Sequence, residues 1–247
     1  MLFAGVAVLL LGGAFFFKYA YDRGWIDPVS RCMMGAAWGL VMIGLGEWAL
    51  RRKMRLFSAA LFGAGVVWLY KTAYVASPNG VYAQHHLLGM QHPTEIAFVL
   101  MCVITAIGMA LSMRSGMLTT AVIALVGAIA TPVLLTTGVD RQVLLMSYLL
   151  VVNAGFLTVA LMTRWQALAP IALAGTIFLF AGWAFTHYKE AGKPLASTTA
   201  FAWGLLAIFW AYVAVGVFRR RAHESLGLGI LVAANVAVVV LAAVICE

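Results

Sequence analysis

Of 247 residues, 64% are hydrophobic and only 10% charged, with a mean hydropathy of +1.01. Soluble domains average about 45–50% apolar and about 25% charged residues, so this composition does not fit one water-soluble core; a soluble enzyme, a nucleic-acid binder and a disulfide scaffold are excluded. The formal charge of +8 does not point to nucleic acid either, because the 16 basic residues fall almost entirely at the ends of apolar runs, where they act as topology signals in a lipid bilayer.

A helix needs about 20 apolar residues to cross the hydrocarbon of a bilayer. Such runs occur near residues 2–19, 32–50, 56–75, 95–113, 117–136, 143–162, 168–186, 199–217 and 226–245. The expected fold is therefore all-α, a polytopic transmembrane helical bundle of about nine spans forming a single integral membrane domain over residues 1–247. Hydrophobicity is continuous along the runs rather than alternating, which favours helices over barrel strands. The first run has neither a basic leader segment nor a small-residue cleavage site and reads as a retained span.

The punctuation between runs supports this division. Asp27-Pro28 offers an N-cap followed by a first-turn proline, Ser77-Pro78-Asn79-Gly80 is turn chemistry, and Asp140 and Ser197 stand where N-caps would open the sixth and eighth spans. Pro132 lies inside the fifth run, where its missing N–H should kink the helix and expose a carbonyl. Cys32, Cys102 and Cys246 are odd in number and far apart, as expected of buried thiols rather than of a disulfide framework or a metal centre.

Several stretches carry a family likeness. They are Phe15-Phe16-Phe17-Lys18-Tyr19-Ala20-Tyr21-Asp22-Arg23-Gly24-Trp25, the basic Arg51-Arg52-Lys53, and most specifically the run from Gly127 to Gly138 with its Thr131-Pro132-Val133-Leu134-Leu135. Ser147-Tyr148-Leu149-Leu150 with Asn153, and Arg164-Trp165, continue it. Together they resemble the bacterial membrane protein family catalogued as domain of unknown function number twenty-three thirty-nine, over about the first eight spans. The resemblance implies a fold and no activity. Members of that family are usually longer, so the chain reads as a shortened relative or a fragment. The histidine-rich connection after the third span and Lys71 depart from the family pattern.

Orientation follows from the basic residues. Connections after the second, fourth, sixth and eighth spans carry nine Lys and Arg, including the dense Arg51, Arg52, Lys53, Arg55 and Arg219, Arg220, Arg221 clusters, and the other connections carry seven. By the positive-inside rule the N-terminus lies inside and the C-terminus outside the bacterial inner membrane. The clusters could also attract anionic lipid headgroups.

Two constellations are candidate sites. The connection from Ser77 to Thr94 holds His85, His86 and His92, with Glu95 three residues past the last; histidine and carboxylate at that spacing could bind a transition metal. The plainer reading makes Pro93 and Glu95 the dipole-compatible first turn of the fourth span and the histidines interfacial. No other cofactor is expected. Inside the bundle, Thr131, Pro132, Tyr148 and Asn153, with Asn235 on the ninth span, could line a polar substrate pocket; the plainer use of the two amides is interhelical hydrogen bonding.

All eight acids lie near span ends, which lowers the expectation of a proton- or sodium-coupled carrier. Glu47 and Arg51 have the i, i+4 spacing of a local ion pair. Gly35 and Gly39, with Gly63 and Gly65, permit close helix approach and in a sharper form a contact with other subunits or a second copy. The leading expectation is a non-catalytic structural or accessory membrane component, with a carrier of a neutral or lipid-like molecule second and a metal-loop membrane enzyme third.

Overall fold

The computed structural model describes residues 27–85, 88, 93–136, 142–185, 195–218 and 229. These residues form seven α-helices with no strand among them: α1 (Pro28–Arg51), α2 (Arg55–Ala76), α3 (Pro93–Ser115), α4 (Leu118–Leu134), α5 (Gln142–Thr163), α6 (Leu168–Trp183) and α7 (Leu195–Phe218). A 3-10 turn, Ala83–His85, lies between α2 and α3. The first sequence-predicted span, all of the ninth but Gly229, and Asp140 fall outside the described residues.

Helix starts and stops follow local chemistry. Pro28 occupies the first turn of α1, where a missing N–H costs nothing, and Asp27 stands at the N-cap without making a side-chain cap bond. Ser77 Oγ donates to the Tyr74 carbonyl at 2.7 Å and the Gly80 N–H to the Ser77 carbonyl at 2.9 Å, closing the expected turn after α2. Ser197 is not the N-cap of the eighth span: α7 begins two residues earlier, at Leu195.

Five helical stretches are long and apolar enough to cross a membrane: α1, α2, α3, α5 and Thr198–Gly216 of α7. Of the other two helices, α4 is shorter than the sequence suggested. α4 has 17 residues and stops two past Pro132, and α6 has 16 before the backbone widens into a π turn at Ala184 and Phe185. At 1.5 Å per residue α4 is roughly 25 Å long, against about 30 Å of bilayer hydrocarbon.

Consecutive helices run in opposite directions, so helices two apart are parallel. Thr120 meets Ala59 near the starts of α4 and α2, and Asn79 meets Leu134 and Thr136 beyond their ends. Likewise Phe98 packs on Tyr148 near the starts of α3 and α5, while Gln142 bonds Thr198 near the starts of α5 and α7. The turns at residues 52–54, 116–117 and 164–167 therefore share one end of the bundle, called here the basic end, and the C-terminal ends of α2, α4 and α6 share the other.

The main core is small-residue packing. Ala121, Ala124, Leu125 and Ala128 of α4 meet Phe156, Leu157 and Ala160 of α5, Leu168, Ala169 and Ala172 of α6, and Phe209, Tyr212 and Val213 of α7. Because lipid tails are as apolar as leucine, such a bundle is held by close packing and interhelical hydrogen bonds rather than by hydrophobic burial. Glycines supply the closeness. A Cβ on Gly39 would lie 2.9 Å from the Leu69 side chain and 3.2 Å from the Gly65 carbonyl oxygen, and one on Gly35 2.6 Å from Thr72 Oγ1. The Gly35 and Gly39 face is thus occupied by α2 of the same chain, and contact with another copy would have to use a different face.

Candidate functional site

Pro132 has no N–H to give the carbonyl four residues back, which is that of Ala128. Ala128 is fully buried, and a buried carbonyl without a partner costs about 1–3 kcal/mol. The Tyr148 hydroxyl, arriving from α5, donates to that oxygen at 2.7 Å. The phenol ring is held in turn by Phe98 of α3, edge-on at 5.0 Å between centroids. Three of the predicted pocket residues, Thr131, Pro132 and Tyr148, are therefore together. Thr131 Oγ1 donates back along its own helix to the Gly127 carbonyl at 2.9 Å, as buried helical threonines do.

Two residues beside this group were missed. The Tyr70 hydroxyl of α2 and Thr105 Oγ1 of α3 share a hydrogen bond of 2.6 Å, and Thr105 also sits 2.9 Å from the Met101 carbonyl. The Tyr70 ring lies directly against Gly127, where any Cβ would overlap it. Nothing local in the sequence marks the pair, whose members are 35 positions apart on different helices.

Asn153 belongs to a separate bond set. Its Nδ2 donates to the Leu149 carbonyl and to Thr176 Oγ1 of α6, both at 2.8 Å, and Thr176 Oγ1 lies 3.1 Å from Asn153 Oδ1. The amide thus ties α5 to α6. Asn235 is outside the described residues.

Of the metal candidates, His85 ends the 3-10 turn and Glu95 is an exposed residue in the first turn of α3, where its charge suits the helix dipole. His86 and His92 lie outside the described residues, and among the described residues no group of three or more His, Cys, Asp or Glu gathers that could hold a metal ion.

At the basic end, Arg51 Nε donates to Glu47 Oε1 at 3.2 Å, the expected i, i+4 pair. The closer partner is one the sequence hid: Arg114 at the end of α3 grips both carboxylate oxygens, Nε to Oε2 at 2.8 Å and Nη2 to Oε1 at 2.6 Å. This forked geometry pins the end of α1 to the end of α3.

The model of the family described as predicted membrane protein, DUF2339, matches residues 1–247. The chain belongs to that family. The match takes in the ninth apolar run, beyond the eight over which the sequence resemblance extended. No curated protein and no solved structure matches the chain.

In this DUF2339 chain the most specific stretch of the resemblance has a structural account up to Thr136, past which residues 137–138 are not described. Gly127 seats the Tyr70 ring, Ala128 receives Tyr148, Ile129 packs directly on Gly175 of α6, and the carbonyls of Leu134 and Thr136 accept hydrogen bonds from Asn79 Nδ2 at 3.1 and 2.6 Å. Within ten residues, α4 is thereby joined to α2, to the loop after α2, to α5 and to α6.

Proposed function

We propose that the chain is a non-catalytic structural or accessory component of a membrane assembly, presenting an apolar helix face to other membrane-protein subunits. The observation that carries this reading is that the intramembrane polar side chains Tyr70, Thr105, Tyr148, Asn153 and Thr176 hydrogen-bond to one another or to backbone within the bundle. In contrast, Met33, Met34, Trp38, Leu40, Val41 and Leu45 of α1 are exposed. Intramembrane polar groups that serve a substrate are kept facing a cavity or a pathway, whereas groups paired to each other fix helix register.

Placement in the bacterial inner membrane with the basic end in the cytoplasm belongs to the same proposal, supported by the shared end of Arg51, Arg52, Lys53, Arg55, Arg114 and Arg164 and by the positive-inside rule. Isolation from native membranes in mild detergent tests the function. Stoichiometric co-purification of other membrane proteins is expected, with a particle mass well above that of the 26.5 kDa chain. A homogeneous particle free of other proteins would overturn the accessory role. It would shift attention to a neutral or lipid-like ligand, with Asn153→Ala and ligand-induced thermal shifts as the next comparison. Metal content of the same particle decides whether the loop histidines hold a transition metal.

A further inference from the structure

Topology alone asks only that cations lie on one side of the membrane. The turn between α1 and α2 is built more closely than that. Its backbone is fixed by three hydrogen bonds, from Arg52 N–H to the Trp48 carbonyl at 3.1 Å, Lys53 N–H to Leu50 at 2.9 Å and Met54 N–H to Ala49 at 3.0 Å. Lys53 takes a φ of +63°, the position of a helix end that glycine fills without strain.

Glu47 engages Arg51 and Arg114, which leaves Arg52, Lys53 and Arg55 exposed and without a carboxylate partner among the described residues. The Arg52 guanidinium stands over the Trp48 ring, 5.5 Å from its centroid, so its direction is set. Beside these cations the surface turns apolar: Trp48 is 51% exposed, Phe57 55% and Leu56 77%. In a membrane-embedded chain these side chains meet acyl chains while the cations meet headgroups. The first turn of α2 has no side-chain cap, so its leading N–H groups add donors at the same level.

We propose that this turn holds one anionic phospholipid, its phosphate against Arg52, Lys53 and Arg55 and its acyl chains along Trp48, Leu56 and Phe57. The chemistry recognised is a phosphate monoanion, and the lipid is its source because the apolar half of the site has no use for a free ion.

Native mass spectrometry of the full chain, released from micelles containing equal phosphatidylglycerol and phosphatidylcholine, tests this. A single retained phosphatidylglycerol is expected, with its preference over phosphatidylcholine falling about fivefold in Arg52→Gln and again in Arg55→Gln, the effect of one interfacial cation. Arg52→Lys should keep most of the preference. Arg164→Gln, which removes the same charge from another turn at the same end, should leave it unchanged. All three side chains are exposed, so thermal stability in phosphatidylcholine alone should not move in any of the four variants and serves as the check on folding. The proposal is overturned by equal retention of the two lipids, by an equal loss in Arg164→Gln, or by displacement of the lipid with millimolar inorganic phosphate.

Discussion

The α1–α2 pair and the α4–α5–α6 group solve the same problem differently. α1 buries little besides Gly39, Gly46 and Ala49, and it adheres to α2 by backbone approach, the Gly39 and Gly65 positions facing each other so that a Cβ on Gly65 would sit 2.9 Å from the Gly39 carbonyl oxygen. The later helices are tied by side-chain hydrogen bonds to carbonyls and hydroxyls, Tyr148 to Ala128 and Asn153 to Thr176. The first mode has no polar partner to lose and fails by volume. The second has close glycine contacts of its own, such as Ile129 on Gly175, and fails in addition by an unmet hydrogen bond.

Gly65→Val should have the largest effect. Its added carbons meet backbone that cannot rotate away, and overpacking of this kind costs about 1–3 kcal/mol or more. The expected outcome is a lowered thermal midpoint in detergent together with loss of a cysteine cross-link engineered between the Gly35 and Thr72 positions; an unchanged cross-link would mean that α1 is held by something other than glycine contact.

Tyr148→Phe comes next, by leaving the Ala128 carbonyl buried and bare at about 1–3 kcal/mol. The sharper measurement is a double-mutant cycle with Pro132→Ala, which restores an N–H opposite that carbonyl. The penalty for Tyr148→Phe should shrink in the Pro132→Ala background, and additive effects would break the link between proline and tyrosine. Asn153→Ala should be the mildest, since interhelical hydrogen bonds in membranes average about 0.6 kcal/mol, and its coupling to Thr176→Val should account for most of its effect.

Run length and breakers were legible because they depend on neighbouring residues alone: α1, α2, α3 and α5 start and end within a few residues of the predicted runs. Pro132 also announced a freed carbonyl, since the consequence of a missing N–H is local. Rotation about each helix axis was not legible. Helices that are apolar nearly all round carry little signal for which side faces inward, so neither Tyr70 against Thr105 nor Glu47 against Arg114 could be read off. For the same reason the Gly35 and Gly39 face could be recognised as a contact surface while its occupant, α2, could not.

Among the described residues, three of the ties between helices two apart in the chain lie at the ends of the bundle. Glu47 to Arg114 links α1 with α3, Asn79 links the loop after α2 with the end of α4, and Gln142 Nε2 to Thr198 Oγ1, at 2.8 Å, links α5 with α7. During synthesis a helical hairpin can zip as soon as its second helix emerges, but each of these bonds must wait for one helix more. Each can close only with the later helix at one vertical offset beside its parallel neighbour, so together they fix the register of helices that do not follow one another in the chain.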